Sequence, residues 1–452
     1  MRSVVRFVWI LGALAPGLVG VRTVSAQATR AASTQVVECT KCHADRDLLS
    51  ANATGARQDS ALYVTGAVLD SSVHRSLQCT DCHQGFGAGF PHQVSQVVVP
   101  CSTCHEKEGR DWAASIHARN AETVGDAPTC VGCHGSHGVR AATDPRSPTY
   151  PLNVAGLCSR CHADPRIIGR YFTGPGQAEA RIAATAFPKS VHGIALTRDG
   201  LVVSATCSDC HGAHFILPPD SARSSVNRAN IPQTCGKCHA GVLKVFEASA
   251  HGPGYPKQPG IAEGHRKPVC TDCHSAHEIV RADRPAWQRS TVQKCGSCHE
   301  HLYETYFETY HGQVTQLGSN LAAKCSDCHT AHDMRSPTDP KSTVFAGNLV
   351  QTCGQCHEGA NANFVKYYAH GDPRQRTKYP LLYWPWLLMT GLLVSVMAFF
   401  VLHSVLWLIR NGVEHRRGGR GPHGPAGGGP AGDGPGGGAP AAGSPTSGGS
   451  ES

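Results

Sequence analysis

The sequence predicts a mostly α-helical chain with much irregular structure: an extended repeat array of short helices and loops, followed by one C-terminal transmembrane helix. Three observations lead there. CxxCH occurs eleven times in 452 residues and uses all 22 cysteines. Aromatic residues make up only 6% of the chain against 50 glycines, too few large side chains for an ordinary core. Residues 387–409 form a run of 23 without Asp, Glu, Lys or Arg, long enough to cross a bilayer as a helix.

The array is read from the motifs. Their cysteines are Cys39 and Cys42, Cys79 and Cys82, Cys101 and Cys104, Cys130 and Cys133, Cys158 and Cys161, Cys207 and Cys210, Cys235 and Cys238, Cys270 and Cys273, Cys295 and Cys298, Cys325 and Cys328, and Cys353 and Cys356. The histidines that follow are His43, His83, His105, His134, His162, His211, His239, His274, His299, His329 and His357. A disulfide framework has no use for a histidine after every second cysteine. A zinc site needs a second ligand pair per ion and does not demand CxxCH. Attachment of a c-type haem does: two thiols bond to the porphyrin edge and the adjacent histidine takes the iron from below. Cysteines at the first and fourth positions span one helical turn, so both reach the ring together. Eleven covalently attached haems c are therefore expected, stacked so that the porphyrins replace the missing core. Residues 27–380 leave about 32 residues for each.

The motifs come in pairs. Cys130 and Cys158, Cys207 and Cys235, and Cys325 and Cys353 are each 28 apart, Cys270 and Cys295 are 25 apart, and Cys79 and Cys101 are 22 apart; Cys39 stands alone. Upstream of each pair lies a histidine in a similar phrase: "SSVH" at His74, "ASIH" at His117, "KSVHG" at His192, "ASAHG" at His251 and "ETYHG" at His311, with "YYAHG" at His370 closing the series. Four first-of-pair motifs extend to CxxCHxxH, adding His137, His214, His277 and His332; in the shortened pair Phe86 stands at that offset and His92 is the substitute. Repeats of this kind imply a linear array.

The histidine count fits a second axial ligand for every iron. Of 27 histidines, 11 follow a CxxC and three (His403, His415, His423) lie in or past the apolar run, leaving 13 for eleven irons. The phrase and loop sets supply eleven; His265 and His301 are surplus. "HEHLYETYFETYH", His299 to His311, reads as one helix of twelve steps, about 18 Å long. Such a helix cannot bring both its histidines to one iron, and a histidine three residues after a proximal one cannot reach the far face. Both distal sets are therefore expected to ligate neighbouring haems, with capping or packing as the alternative for any one of them.

The ends of the chain read as an address. Residues 1–26 carry Arg2 and Arg6, an apolar run and a small-residue cleavage site, a signal peptide with an uncleaved anchor as the alternative. Residues 27–115 form a three-haem region and 116–380 an eight-haem region of four paired units. Residues 381–409 form the transmembrane helix, with Tyr383, Trp384, Trp386 and Trp407 near its ends and Arg410, Arg416, Arg417 and Arg420 beyond it. Residues 410–452 end in a Gly/Pro/Ser-rich tail, expected to be disordered and cytoplasmic. This places the haem region outside the cytoplasm, held to the inner membrane by a single pass. His403, inside the span, either ligates a haem b shared with a partner or makes a buried hydrogen bond. The net charge of +8 does not point to nucleic acid: signal removal lowers it by three and eleven haems bring 22 propionates.

Paired CxxCH motifs with "HG" phrases and CxxCHxxH resemble the doubled-CXXCH multihaem cytochromes c of the broad cytochrome c3-like grouping, over residues 39–371. The resemblance implies mostly bis-histidine haem c, close stacking and electron transfer outside the cytoplasm. This chain departs from the grouping in its haem count and its C-terminal anchor. The expected function is a membrane-tethered electron carrier, with no catalytic residue assigned. Its expected partners are a membrane quinol-oxidising or b-type cytochrome and a periplasmic or outer-membrane redox protein. The alternative is a multihaem reductase or oxidase of nitrite, hydroxylamine or a sulfur oxyanion, which needs one open iron; no CxxCK marks one.

Overall fold

The computed structural model describes residues 39–51, 62–86, 99–124, 127–172, 175–256 and 266–418, and among them every regular element is helical. The signal-peptide reading, His92, His265, His423 and the Gly/Pro-rich tail from residue 419 lie outside the described residues. The chain divides into two units, residues 1–370 and residues 371–452.

The first unit is built from short helices joined by turns. Each first-of-pair motif is itself a single turn of helix: Cys79–Cys82, Cys130–His134, Cys207–His211, Cys270–His274 and Cys325–His329. One turn does not stand alone in water. In four of the five an aspartate at the third motif position folds back to accept the amide just before the first cysteine. The bonds are Gln78 to Asp81 at 2.8 Å, Thr206 to Asp209 at 2.8 Å, Val269 to Asp272 at 2.7 Å and Lys324 to Asp327 at 2.8 Å. Each satisfies an amide that a helix start leaves open and puts negative charge at the positive end of the turn. Second-of-pair cysteines after Cys101, which opens a short 3-10 turn, instead end longer helices, among them Pro151–His162 and Pro285–Gly296, which begin with proline, as the first turn of a helix permits.

Directly after four proximal histidines the backbone swings to positive φ with ψ near 180°: Gly135 (φ 79°), Gly212 (φ 85°), Ser275 (φ 63°) and Thr330 (φ 64°). This conformation ends the turn and throws the chain sideways toward the loop histidine two residues on. It is open to glycine and strained for the other two.

The stretch from His299 to His311 is not the single helix its sequence suggests. Helix Glu300–Phe307 stops, Thr309 is extended (φ −86°, ψ 160°), and a new helix runs Tyr310–Gln316. The Thr309 hydroxyl accepts the Gly312 amide at 3.2 Å, starting that helix as an N-cap. The same break falls after Ala240–Glu247 and Glu106–Ala113. Its cause is the residue two before each phrase histidine: Ser72, Ser115, Ser190, Ser249 and Thr309 are all buried. The glycine after the histidine allows the close approach, since a Cβ on Gly193, Gly252 or Gly312 would collide with the carbonyl of Phe187, Glu247 or Tyr306 respectively.

Very little of this unit is a protein core. Among the described residues the buried hydrophobic side chains are Ala118, Val154, Ile168, Ala186, Leu196, Val292 and Tyr306. Their place is taken by a continuous cavity of about 4350 Å³, roughly four times a large small-molecule pocket of about 1000 Å³, lined by eight complete CxxCH motifs from Cys39 to His274.

In the second unit helix Pro380–Gly418 runs for 39 residues with its apolar side chains exposed. Its apolar window has a mean hydropathy of 2.4, and it is long and apolar enough to cross a membrane. Beyond the apolar run Arg410 pairs with Glu414 at 2.8 Å.

Two substitutions check the backbone argument. Thr330→Gly relieves the strain at φ 64° and is expected to stabilise the chain by about 1 kcal/mol in denaturant unfolding, after glycine's own entropy cost. Gly312→Ala is expected to destabilise it by about 1–3 kcal/mol, because the new methyl has only the Tyr306 carbonyl to move against.

Candidate functional site

Ten motif histidines each face one histidine from elsewhere in the chain. The ring centres are separated by 6.0 Å for His105 and His74, 5.9 Å for His83 and His137, 6.3 Å for His162 and His117, and 6.0 Å for His134 and His214. They are 6.1 Å apart for His239 and His192, 6.1 Å for His211 and His277, 6.2 Å for His299 and His251, and 6.0 Å for His274 and His332. The last two pairs are His357 with His311 at 5.9 Å and His329 with His370 at 6.3 Å. Metal–nitrogen bonds of about 2 Å on both sides of one ion put imidazole centres about 6 Å apart. Ordinary aromatic pairs scatter over about 4.5–7 Å. Ten pairs confined to 5.9–6.3 Å, each joining one CxxCH histidine to one outside it, match the narrower requirement.

The eleventh motif histidine, His43, donates from Nδ1 to the Leu62 carbonyl at 2.9 Å, which leaves Nε2 as the coordinating nitrogen. His92, the substitute loop histidine of the shortened pair, lies outside the described residues. His301, surplus by count, is exposed and belongs to none of the ten pairs.

The pairs follow a rule. Each second-of-pair histidine meets the phrase histidine of its own unit, and each first-of-pair histidine meets the loop histidine of the next unit. His329, with no further pair after it, meets His370 of the closing phrase. His299 and His311 go to different partners, as do His239 and His251, and His105 and His117.

A repeated backbone bond holds the two kinds of histidine in register. The residue before a phrase histidine donates its amide to the residue two past a loop histidine: Val73 to Val139 at 2.8 Å, Ile116 to Ile216 at 2.8 Å, Val191 to Ile279 at 2.8 Å, and Ala250 to Met334 at 2.6 Å. Each rung ties together the outer histidines of the two sites in one pair. Sequence reasoning did not foresee these rungs, nor the aspartate staples. The recurring aspartate in "CTDC" and "CSDC" was visible, whereas a backbone bond between distant residues leaves no residue-type signature.

Burial tunes these groups in the direction that ligation needs. It lowers the pKa of His117, His134, His162, His192, His274 and His329, and pushes His211 down to about 4, so the ring stays neutral with its lone pair available. Burial, reinforced by Cys39, raises the Cys79 thiol to about 11. The thiols also come close to one another across motifs: Cys101 to Cys130, Cys158 to Cys207, Cys235 to Cys270, and Cys295 to Cys325. All 22 are free of disulfides.

Residues 49–162 match the class III cytochrome c family. The match covers the motifs at Cys79, Cys101, Cys130 and Cys158 and ends on His162. No curated protein and no solved structure matches the chain. The class III family implies covalently bound haem c and electron transfer by a multihaem cytochrome. The cysteines and histidines here fit that group. Their paired rings leave a metal-sized gap, the cavity wall is apolar, and the Tyr171 hydroxyl and Trp287 indole nitrogen are buried beside it without a protein partner. Both are donors suited to a carboxylate-bearing cofactor. Among the described residues no group of three or more His, Cys, Asp or Glu side chains converges as a zinc site would require.

His311→Met replaces one outer imidazole by a thioether. It is expected to raise the potential of a single haem in a spectroelectrochemical titration and leave the others in place; an unchanged titration would remove His311 from the ligand set.

Proposed function

We propose that the chain is a membrane-anchored extracytoplasmic cytochrome with eleven haems c, each held between two histidines. In this reading it carries electrons between a membrane quinol-oxidising or b-type partner and a periplasmic or outer-membrane redox protein. The observation that carries this reading is the set of ten imidazole pairs at 5.9–6.3 Å. When bound, haem supplies a one-electron iron couple. The histidines fill both axial positions and so keep substrates off the metal, which suits transfer without bond making.

The order of the sites supports conduction along the sequence. The thiol contacts between second-of-pair and next first-of-pair motifs alternate with contacts inside each pair. Within pairs, Cys82 lies near Cys101 and Cys104, Cys133 near Cys158, Cys210 near Cys238, Cys273 near Cys295, and Cys328 near Cys353. Every porphyrin edge would therefore adjoin that of its sequence neighbour, from the motif at Cys39 to that at Cys353. The proposed tether is helix Pro380–Gly418, and the signal peptide and the arginines after residue 409 support an inner-membrane, outward-facing orientation.

Low-temperature electron paramagnetic resonance of the oxidised protein, before and after cyanide, nitrite or hydroxylamine, tests the reading. Low-spin signals that none of these moves are expected. A high-spin component that shifts would reveal an open iron and favour the reductase or oxidase alternative.

A further inference from the structure

The five first-of-pair motifs are not equivalent around the peptide that joins the second cysteine to the proximal histidine. In the unit starting at Cys207, the Cys210 carbonyl accepts the Ser225 hydroxyl at 2.5 Å, and Thr234 supports that serine by donating to its carbonyl at 2.6 Å. The unit starting at Cys325 repeats this with Thr343 on the Cys328 carbonyl at 2.5 Å and Thr352 on Thr343 at 2.6 Å. In the unit starting at Cys130 the corresponding positions are Pro148 and Leu157, neither with a side-chain donor.

The unit starting at Cys270 is the one whose pair spacing is 25 instead of 28. Its shorter loop brings no hydroxyl to the Cys273 carbonyl. Lys294, which stands where Thr234 and Thr352 stand, donates its ammonium to that carbonyl directly. Trp287, seven residues earlier on the same face of helix Pro285–Gly296, stacks on the proximal His274 with ring centres 5.2 Å apart and planes 15° from parallel. The Lys294 ammonium lies 5.5 Å from the centre of that indole. The nearest motif carboxylate, Asp272, is already matched by Arg228 at 2.7 and 2.8 Å. A cation thus replaces a neutral hydroxyl beside the proximal ligand, on the side where the indole stacks.

We propose that Lys294 is a tuning residue that raises the potential of the haem attached at Cys270 and Cys273 above those at Cys207 and Cys325, making it the electron-holding step of the array. Positive charge near an iron favours its reduced form. The proposal rests on the multihaem reading, and it turns the shortened repeat from an irregularity into a difference in function.

The test marks this haem by His332→Met, which gives it a sulfur-to-iron charge-transfer band of its own, and follows that band in a potentiometric titration. Adding Lys294→Gln, a neutral donor, is expected to lower the marked midpoint by about a tenfold change in its oxidised-to-reduced ratio, about 59 mV. Lys294→Arg is expected to keep it. In the otherwise native chain, Lys294→Gln should move one component of the titration in the same direction. A marked midpoint unmoved by Lys294→Gln overturns the proposal, as does an equal shift from Lys41→Gln, which removes a charge at the first motif. A chain without haem absorption at all would overturn the multihaem reading itself, a result distinct from both.

Discussion

Each unit depends on a contact it cannot make alone: an imidazole from one part of the chain facing another across a gap the width of an iron ion with its two bonds. In the proposed arrangement a CxxCH turn can offer one histidine, because its cysteines would hold the ring edge and its own histidine would take the near side. The far side has to be filled from elsewhere. His137, His214, His277 and His332 come from the following pair, so every paired unit after the first lends a ligand backward, and the closing phrase with His370 completes the series. Local turns thereby become a linear assembly with no need for a large apolar core.

The remaining architecture serves to aim these rings. Aspartate staples hold single helical turns that would otherwise fray. Positive φ after the proximal histidine turns the chain toward the loop histidine, and a buried serine or threonine ends the preceding segment so that the phrase histidine stands at a helix start, as His117, His192 and His311 do, or in a turn, as His74 and His251 do. The four backbone rungs then lock loop to phrase. Strain at Ser275 and Thr330 is tolerated at the points where this aiming is done, as expected when surrounding contacts over-determine a conformation.

The proximal side of the proposed site is legible in the sequence because CxxCH motifs declare themselves in residue types at fixed spacing. The outer histidines were legible as a set, through repeated phrases and a count that matched. Their individual partners were not, since a histidine at a given sequence distance from an iron carries no mark of which one it faces. The helix from His299 to His311 was misread because its composition favours helix throughout. Thr309 and Gly312 interrupt it through a cap and a close approach that appear only when neighbouring turns are packed. Lys294 carries no mark in the sequence; what sets it apart is its contact with the Cys273 carbonyl at the position held by Thr234 and Thr352 in other units.

The sequence by itself determined the helical class, the eleven CxxCH motifs, the paired repeat and the apolar C-terminal helix. Each is set by local chemistry or by spacing along the chain. Tertiary structure alone decided which imidazoles meet, how the repeats are pinned together, and which charge sits beside which motif. These are long-range relations, fixed by the directions in which short helices leave their turns, and no residue within a repeat specifies them singly.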